Sequence, residues 1–282
     1  MSPEPLRQGQ ELSDTTFEAI ASIAHEVAGL HLPSTKKALV ASRIARRLQR
    51  LALPSFEEYL DLIATCGAPE RRRLVTALTT NVSNFFRERH HFQALRDHIL
   101  PPLLERARKG ERVRIWSAGC ANGQEAYSIA LTLLEMDQGV GDLDVRILGT
   151  DIDPMVVRTA QLGAYHISMM NDVAPDALDL HFRYDGSSST FKAEASLRAL
   201  VLFRELNLHG AWPMPGRFDI IFCRNVVIYF DEAGRNALWR RFSKKLNDGG
   251  WLLIGHSERV PDGVAPELEM YAHTAYRLSS SG

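Results

Sequence analysis

Cysteine is scarce in this sequence, long apolar runs are absent and neither sign of charge is in excess, and each lack narrows what the chain can be. Only three of 282 residues are cysteine. Cys66, Cys120 and Cys223 stand far apart, with no CxxC pair and no histidine at ligand spacing, which argues against a disulfide framework or a zinc site. All three are expected to be small buried apolar side chains. The adjacent His90 and His91 match no metal motif, so no metal is expected. No segment approaches the roughly 20 apolar residues that span a bilayer. The region Met1 to Asp14 is polar and does not read as a signal peptide, which makes the cytosol the expected compartment. With 33 Lys and Arg against 34 Asp and Glu, the formal net charge is -1, and no basic and aromatic track suggests a nucleic-acid binder. Repeats are missing, and low complexity is confined to Ser187-Ser188-Ser189 and the serine tail.

What remains is 45% hydrophobic and 24% charged, the balance of a globular chain with a sizeable core. Its grammar changes near residue 110. Before that point Phe17, Ile20, Ala21, Ala24, Val27 and Ala28 recur at helical steps. A further helix over Lys36 to Leu51 lines Lys36, Arg43, Arg47 and Arg50 on one face and turns Val40, Ile44, Leu48 and Leu51 inward. Ser55 with Glu58 forms a capping box, and Gly67 is a stop. A helix starting at Phe92, Leu95, Ile99 and Leu103 is expected to bend or break at Pro101 and Pro102.

Beyond residue 110 short apolar runs alternate with helices. Val113 to Ser117 precedes Glu125 to Met136, Val145 to Gly149 precedes Pro154 to Leu162, and Phe218 to Cys223 precedes Glu232 to Leu246. Trp251 to Ile254 follows, and Met270 to Ala272 with Ala275 to Leu278 could close the sheet as an antiparallel pair. Such alternation predicts a mostly parallel sheet covered on both faces. The stretch Arg183 to Arg198, with Asp185-Gly186 and serines, looks instead like turns between short strands outside the main sheet.

In a doubly wound sheet ligands bind beyond the carboxyl ends of the strands. Four loops lie there. Ser117 to Glu125 has small residues that allow a tight turn, yet lacks the GxGxxG of a dinucleotide site. Asp151, at the end of the next strand, can accept hydrogen bonds from a ribose diol, while Asp153 suits a helix cap. Asn207-Leu208 and Arg224 to Phe230 place polar groups where apolar strand would otherwise continue. A purely structural reading, with Arg224 paired to a carboxylate and Tyr229 in the core, stays open.

Together with Thr79-Thr80-Asn81-Val82-Ser83-Asn84-Phe85-Phe86-Arg87, these loops resemble the CheR-type chemotaxis receptor methyltransferases. The ordered set of TTNxxxFFR, Gly123-Gln124-Glu125, Thr150-Asp151-Ile152-Asp153, CRNVxIYF and GHSE spans nearly the whole chain. The resemblance implies an α/β fold, a Rossmann-type class I methyltransferase sheet, with a small all-α N-terminal domain and a small β-subdomain insertion. Residues 1–87 would form the helical domain and linker, a candidate receptor contact. Residues 88–282 would form the S-adenosylmethionine-dependent methyltransferase domain, with its β-subdomain at about 183–200. Carried over by position, Asn81, Ser83, Arg87, Glu125, Asp151, Asn207, Leu208, Arg224 and Asn225 would contact S-adenosyl-L-methionine, which leaves as S-adenosyl-L-homocysteine. Arg87 and Tyr229 would act at the methyl group and the incoming carboxylate.

The implied activity is protein-glutamate O-methylation of chemotaxis receptors for sensory adaptation. Lys36, Arg43, Arg47 and Arg50 would meet an acidic receptor helix of the cytoplasmic domain, although a solvated helix face explains the same charges. There are two departures from the family pattern: Gln124-Glu125-Ala126-Tyr127-Ser128 replaces a frequent Glu-Glu-Pro-Tyr-Ser, and Ser83 replaces threonine. Some members tether a receptor's carboxyl-terminal peptide through a longer Gly-rich turn than Asp185 to Ser189, so no pentapeptide tether is expected here. Neither nucleic acid nor membrane insertion is expected, and the chain is expected to be a monomer. The rival readings are an RNA methyltransferase, a ligand-sensing scaffold without activity, and a nicotinamide oxidoreductase.

Overall fold

The structure, a computed structural model, describes residues 11–279. They fall into two compact units, one formed by the residues up to Thr80 with Tyr229–Gly234, the other by Asn81–Ile228 and the residues from Arg235 onward.

The first unit is helical: α1 (Asp14–Ala28), a 3-10 turn (Ser34–Lys36) leading into α2 (Lys37–Leu51), α3 (Phe56–Cys66) and α4 (Ala68–Leu78). Local chemistry sets the ends. Ser13 Oγ accepts the Thr16 N–H at 3.0 Å, and Gly29 stops α1 at φ 67°. Ser55 Oγ accepts the Glu58 N–H at 3.1 Å, as the capping box predicts. The apolar stripes Phe17, Ile20, Ala24, Ala28 and Val40, Ile44, Leu48 are buried. Helix α4 does not appear among the periodic segments above, because its first half is Ala-Pro-Glu-Arg-Arg-Arg; Glu70 and then Leu74, Val75 and Leu78 are the residues it buries. The distant segment joins this unit through an antiparallel bridge between Leu30 and Phe230 and a 2.8 Å bond from the His31 N–H to the Tyr229 carbonyl.

The second unit opens with α5 (Arg89–Ala94), a π turn (Leu95–Ile99) and α6 (Leu100–Arg108). Pro101 and Pro102 do not break this helix. The Leu100 N–H reaches back five residues to the Leu95 carbonyl, and the widened turn leaves both prolines in the first turn of α6, where a missing N–H goes unfelt. Then follow β1 (Val113–Ala118), α7 (Gln124–Met136), β2 (Val145–Asp151), α8 (Pro154–Leu162), β3 (Ala164–His166), α9 (Pro175–His181), β4 (Phe182–Asp185), β5 (Thr190–Ala193), α10 (Ala195–Ala199), β6 (Val201–Glu205), β7 (Phe218–Cys223), α11 (Glu232–Lys245), β8 (Leu246–Ile254), β9 (Leu268–Ala272) and β10 (Ala275–Leu278).

Seven strands form one sheet in the order β6-β2-β1-β7-β8-β10-β9. The first five run parallel, and β10 pairs antiparallel with both β8 and β9. The chain moves outward from β1 to β2 and β6, then returns to the other side of β1 for β7. Strand order therefore reverses between β1 and β7, which is where a crevice opens in such sheets. A separate three-stranded antiparallel sheet, β3-β5-β4, is the excursion expected around Arg183 to Arg198. It also recruits Ala164–His166, and the stretch expected to hold only turns and strands ends in α10.

Of the three cysteines, Cys120 and Cys223 are buried as expected, but Cys66 is exposed. It is the last residue of α3 and continues the spacing of the buried Tyr59 and Ile63, but at the helix end it stays exposed.

Candidate active site

The loop from β1 to α7 turns sharply because Gly119 and Gly123 adopt φ 84° and 90°, values that favour glycine. The Gly119 and Cys120 N–H groups both donate to the Thr150 carbonyl at 2.8 Å, which anchors this loop to the end of β2. A Cβ on Gly119 would stand 2.3 Å from Val226 Cγ2, so the loops after β1 and β7 meet closely at that point.

Asp151, 8% exposed, ends β2. Its carboxylate accepts the Ala121 N–H at 2.9 Å and the Asp153 N–H at 3.0 Å. Burial pushes this carboxyl up, against the pull of those backbone donors. Asp153 caps α8 by accepting the Met155 N–H at 2.8 Å, and its other oxygen accepts from Asn81 Nδ2 at 2.8 Å. Asn81 is thereby tied to the residue two positions past Asp151.

Glu125, in the first turn of α7, accepts from Ser117 Oγ at 2.6 Å and lies 3.2 Å from Arg224 Nη1. Burial pushes its carboxyl up while the Arg224 guanidinium opposes the shift. Arg224 leaves β7 and is buried; besides Glu125 it lies 3.4 Å from a Glu88 oxygen and donates to the Arg87 carbonyl. Among the described residues its Nε has no partner, nor has Asn122 Oδ1. The pairing of Arg224 with a carboxylate, left open from the sequence, is thus present, with Glu125 and Glu88 as its partners.

Arg87 is half-buried and donates to the Val82 carbonyl at 3.2 Å. The backbone on either side of it is bent, with Phe86 at φ 51° and Glu88 at φ 57°. Ser83 is half-buried in the same segment, and the Phe86 N–H donates to Ser128 Oγ at 2.9 Å. Asn225 sits at φ 59° at the end of β7. Asn207 Oδ1 accepts the His209 N–H at 3.0 Å, and Leu208 is buried, both just past the end of β6. Tyr229 is half-buried and belongs to the helical unit, where its carbonyl holds His31.

The basic face of α2 is only partly a surface. Arg43 donates to the Leu78 and Thr79 carbonyls and to Thr80 Oγ1. Arg47 is occupied by Glu70. Lys36 is half-buried and Arg50 exposed.

Three residues at the carboxyl end of the sheet carry no expectation from the sequence. Glu88 accepts from His256 Nδ1 at 3.1 Å and faces Arg224. Although burial alone would raise it, Arg224 and the His256 bonds hold its carboxyl below the ordinary range. Glu258, inside the GHSE motif, accepts three backbone N–H groups. A carboxylate bound to backbone leaves no spacing pattern to find, which is why only the motif as a whole drew notice.

At the opposite end of the sheet a cleft of about 770 Å³ is lined by Arg112, Arg114, Arg146 and Arg217 over Leu148 and Leu202. Its arginines already have acceptors. Arg112 and Arg114 lie 3.5 and 2.6 Å from Asp144, Arg217 lies 3.9 Å from Asp248, and Arg146 donates to the Leu143 and Val145 carbonyls.

The residues at the carboxyl ends fit a nucleoside that carries a charged amino-acid tail. Asp151 spends two bonds on backbone and keeps lone pairs for hydroxyl donors, and Glu125 with the partly unsatisfied Arg224 offers both signs of charge nearby. The comparisons agree. Residues 81–276 match the model of the CheR methyltransferase SAM binding domain, and residues 15–79 that of the CheR methyltransferase all-alpha domain. A Rhizobium etli protein named "probable chemotaxis protein methyltransferase" is 46% identical over 259 residues, 90% of this chain and 96% of its own length. The chemotaxis protein methyltransferase of Salmonella typhimurium is 36% identical over 97% of this chain and 93% of its own. That of Escherichia coli is 36% identical over 95% and 92%. With both of its domains matched in order, the chain belongs to the CheR family of S-adenosylmethionine-binding methyltransferases.

Proposed function

We propose that this enzyme methylates glutamate side chains in the cytoplasmic helical domain of chemotaxis receptors, giving methyl esters for sensory adaptation. The observation that carries the reading is the pairing of Glu125 with buried Arg224 across the switch between β1 and β7, with Asp151 at the end of the adjoining β2, in a chain that spans over nine-tenths of relatives named for chemotaxis methylation. It acts in the cytoplasm; among the described residues no helix is long and apolar enough to cross a membrane.

S-adenosylmethionine supplies an activated methyl whose leaving group departs neutral. Asp151 holds the ribose hydroxyls, and Glu125 with Arg87 fixes the amino-acid end. Asn81, Ser83, Asn207, Leu208, Arg224 and Asn225 complete the cofactor's surroundings. A substrate glutamate, with an ordinary pKa of about 4.3, is ionised at neutral pH, so no side chain needs to remove its proton. What the protein contributes is position: alignment of reacting groups can supply about 7 to 11 kcal/mol. Arg87 and Tyr229 hold the carboxylate oxygens, and weak holding is better than strong, because a tightly paired carboxylate is a poorer nucleophile.

Residues 1–87 act as the receptor-binding domain and linker and residues 88–282 as the catalytic domain. Lys36 and Arg50 are the members of the basic face that approach an acidic receptor helix, while Arg43 and Arg47 support the face from within. The turn after β4 satisfies itself, since Asp185 accepts from the Ser187 N–H at 3.0 Å and from the Ser187 and Ser188 hydroxyls at 2.7 and 2.8 Å. That closed turn supports an enzyme that works without a pentapeptide tether.

The test is transfer of labelled methyl from S-adenosylmethionine to a purified receptor cytoplasmic domain, followed by mild alkali. Label released as methanol, and lost when the receptor glutamates become alanine, is the expected result. Alkali-stable label, or cofactor binding without transfer, would overturn the glutamate assignment.

A further inference from the structure

Glu258 is 8% exposed, and its carboxylate is spent on backbone. Oε2 accepts the Asn225 N–H at 3.1 Å and the Gly255 N–H at 2.6 Å, and Oε1 accepts the Val226 N–H at 3.1 Å. Asn225 and Val226 follow β7, whereas Gly255 follows β8. One side chain therefore joins the loops at the carboxyl ends of two adjacent strands. Gly255 is required for this closeness, because a Cβ there would stand 2.7 Å from Asn225 Nδ2, 2.8 Å from the Asn225 nitrogen and 2.9 Å from Glu258 Oε2.

The reach extends to a third loop. Val226, whose N–H Glu258 holds, packs its Cγ2 where a Cβ on Gly119 would be. Asn225 holds a left-handed backbone at φ 59°, which asparagine adopts more readily than most residues with a side chain, and a constraint from its surroundings can select it. Capture of two successive N–H groups by a carboxylate is such a constraint.

We infer that Glu258 is a positioning residue for the cofactor: by fixing Asn225 and Val226 against Gly255 and Gly119, it sets the width of the crevice between β1 and β7. It touches no reacting atom. The inference rests on the reading that Asn225 contacts S-adenosylmethionine, but not on the identity of the methyl acceptor.

Glu258→Gln replaces one acceptor oxygen with a donor that faces a backbone N–H, so the loop loses its register while side-chain size is kept. Titration calorimetry of the full chain with S-adenosylhomocysteine should show the Kd raised at least tenfold in Glu258→Gln. The double variant Glu258→Gln with Asn225→Ala should bind less weakly than the product of the two single effects, because part of the effect of Glu258 passes through the position of Asn225. A Kd within twofold of wild type in folded Glu258→Gln, or effects that multiply in the double variant, would overturn the inference even if Tm falls. Should the variant not fold, hydrogen exchange on the wild type decides. The Asn225 and Val226 amides should gain protection on adding S-adenosylhomocysteine, and unchanged protection overturns the inference. Wild-type binding without methyl transfer to receptors would sink the receptor reading alone.

Discussion

Arg47 grips Glu70 through two parallel hydrogen bonds, Nε to Oε1 at 2.9 Å and Nη2 to Oε2 at 2.7 Å, with the carboxylate only 2% exposed. Tyr59 adds a 3.0 Å bond and Arg73 one of 3.1 Å. A paired buried carboxylate of this kind is costly to strand. Arg47→Ala should therefore destabilise the helical unit by about 3 kcal/mol, read as a lowered midpoint in urea unfolding. An unchanged midpoint would mean that Tyr59 and Arg73 suffice.

The same cluster sets an acid limit. Burial would raise the Glu70 carboxyl, but hydrogen bonds from Arg47, Arg73 and Tyr59 outweigh it and hold the group below its ordinary range. A carboxyl lowered in the folded state stabilises fully above its unfolded pKa of about 4.3 and ceases to do so as pH falls through the lower folded value. Helical circular dichroism should therefore report stability lost below about pH 4, and Glu70→Gln should flatten that dependence.

On the surface of α2, reversing Lys36 and Arg50 to Glu should raise the KM for receptor about tenfold and leave S-adenosylhomocysteine affinity unchanged. Arg43→Glu should instead lower Tm, since its guanidinium caps the carbonyls of Leu78 and Thr79 at the end of α4. Equal KM values for wild type and the Lys36, Arg50 variant would move receptor recognition elsewhere.

Tyr229→Phe should lower kcat by roughly tenfold or more while cofactor Kd stays within twofold, the pattern of an interaction made chiefly in the transition state. Full turnover at saturating cofactor would remove Tyr229 from the reaction.

Thiol accessibility distinguishes the cysteines. Burial pushes the Cys120 and Cys223 thiols well up, whereas Cys66 lies exposed. Ellman's reagent should titrate one thiol in the native protein and three after denaturation; rapid labelling of Cys120 would mean that the loop after β1 opens readily.

Strand β7 and helix α8 could be placed to the residue from sequence because their signals are local. Phe218–Cys223 is an apolar run buried throughout, and Pro154–Leu162 is bounded by a proline in its first turn and by Gly163 at φ 62°. Helix α4 and strand β3 could not: one hides its buried residues behind three arginines, and the other is three residues long. For the site, the loops were legible because a parallel sheet puts ligands at its carboxyl ends. Which charges face solvent was not. An amphipathic pattern shows that Arg47 lies off the core stripe, but not that Glu70, 23 residues away, waits beneath it. Glu258 was hidden for a related reason, since two of its three main-chain partners lie 32 and 33 residues earlier.

The helical unit is not contiguous in sequence, and this bears on any attempt to handle it as a module. Besides the bridge to Phe230, Asp231 contributes a 3.0 Å contact with His25, so a polypeptide cut after Thr80 would lack part of its own fold. A chimera that takes the helical unit of a relative must therefore exchange two stretches of gene, the second encoding Tyr229–Gly234. Grafts made at a single junction would pair one protein's clasp with another's buckle, and their loss of activity would say nothing about receptor choice.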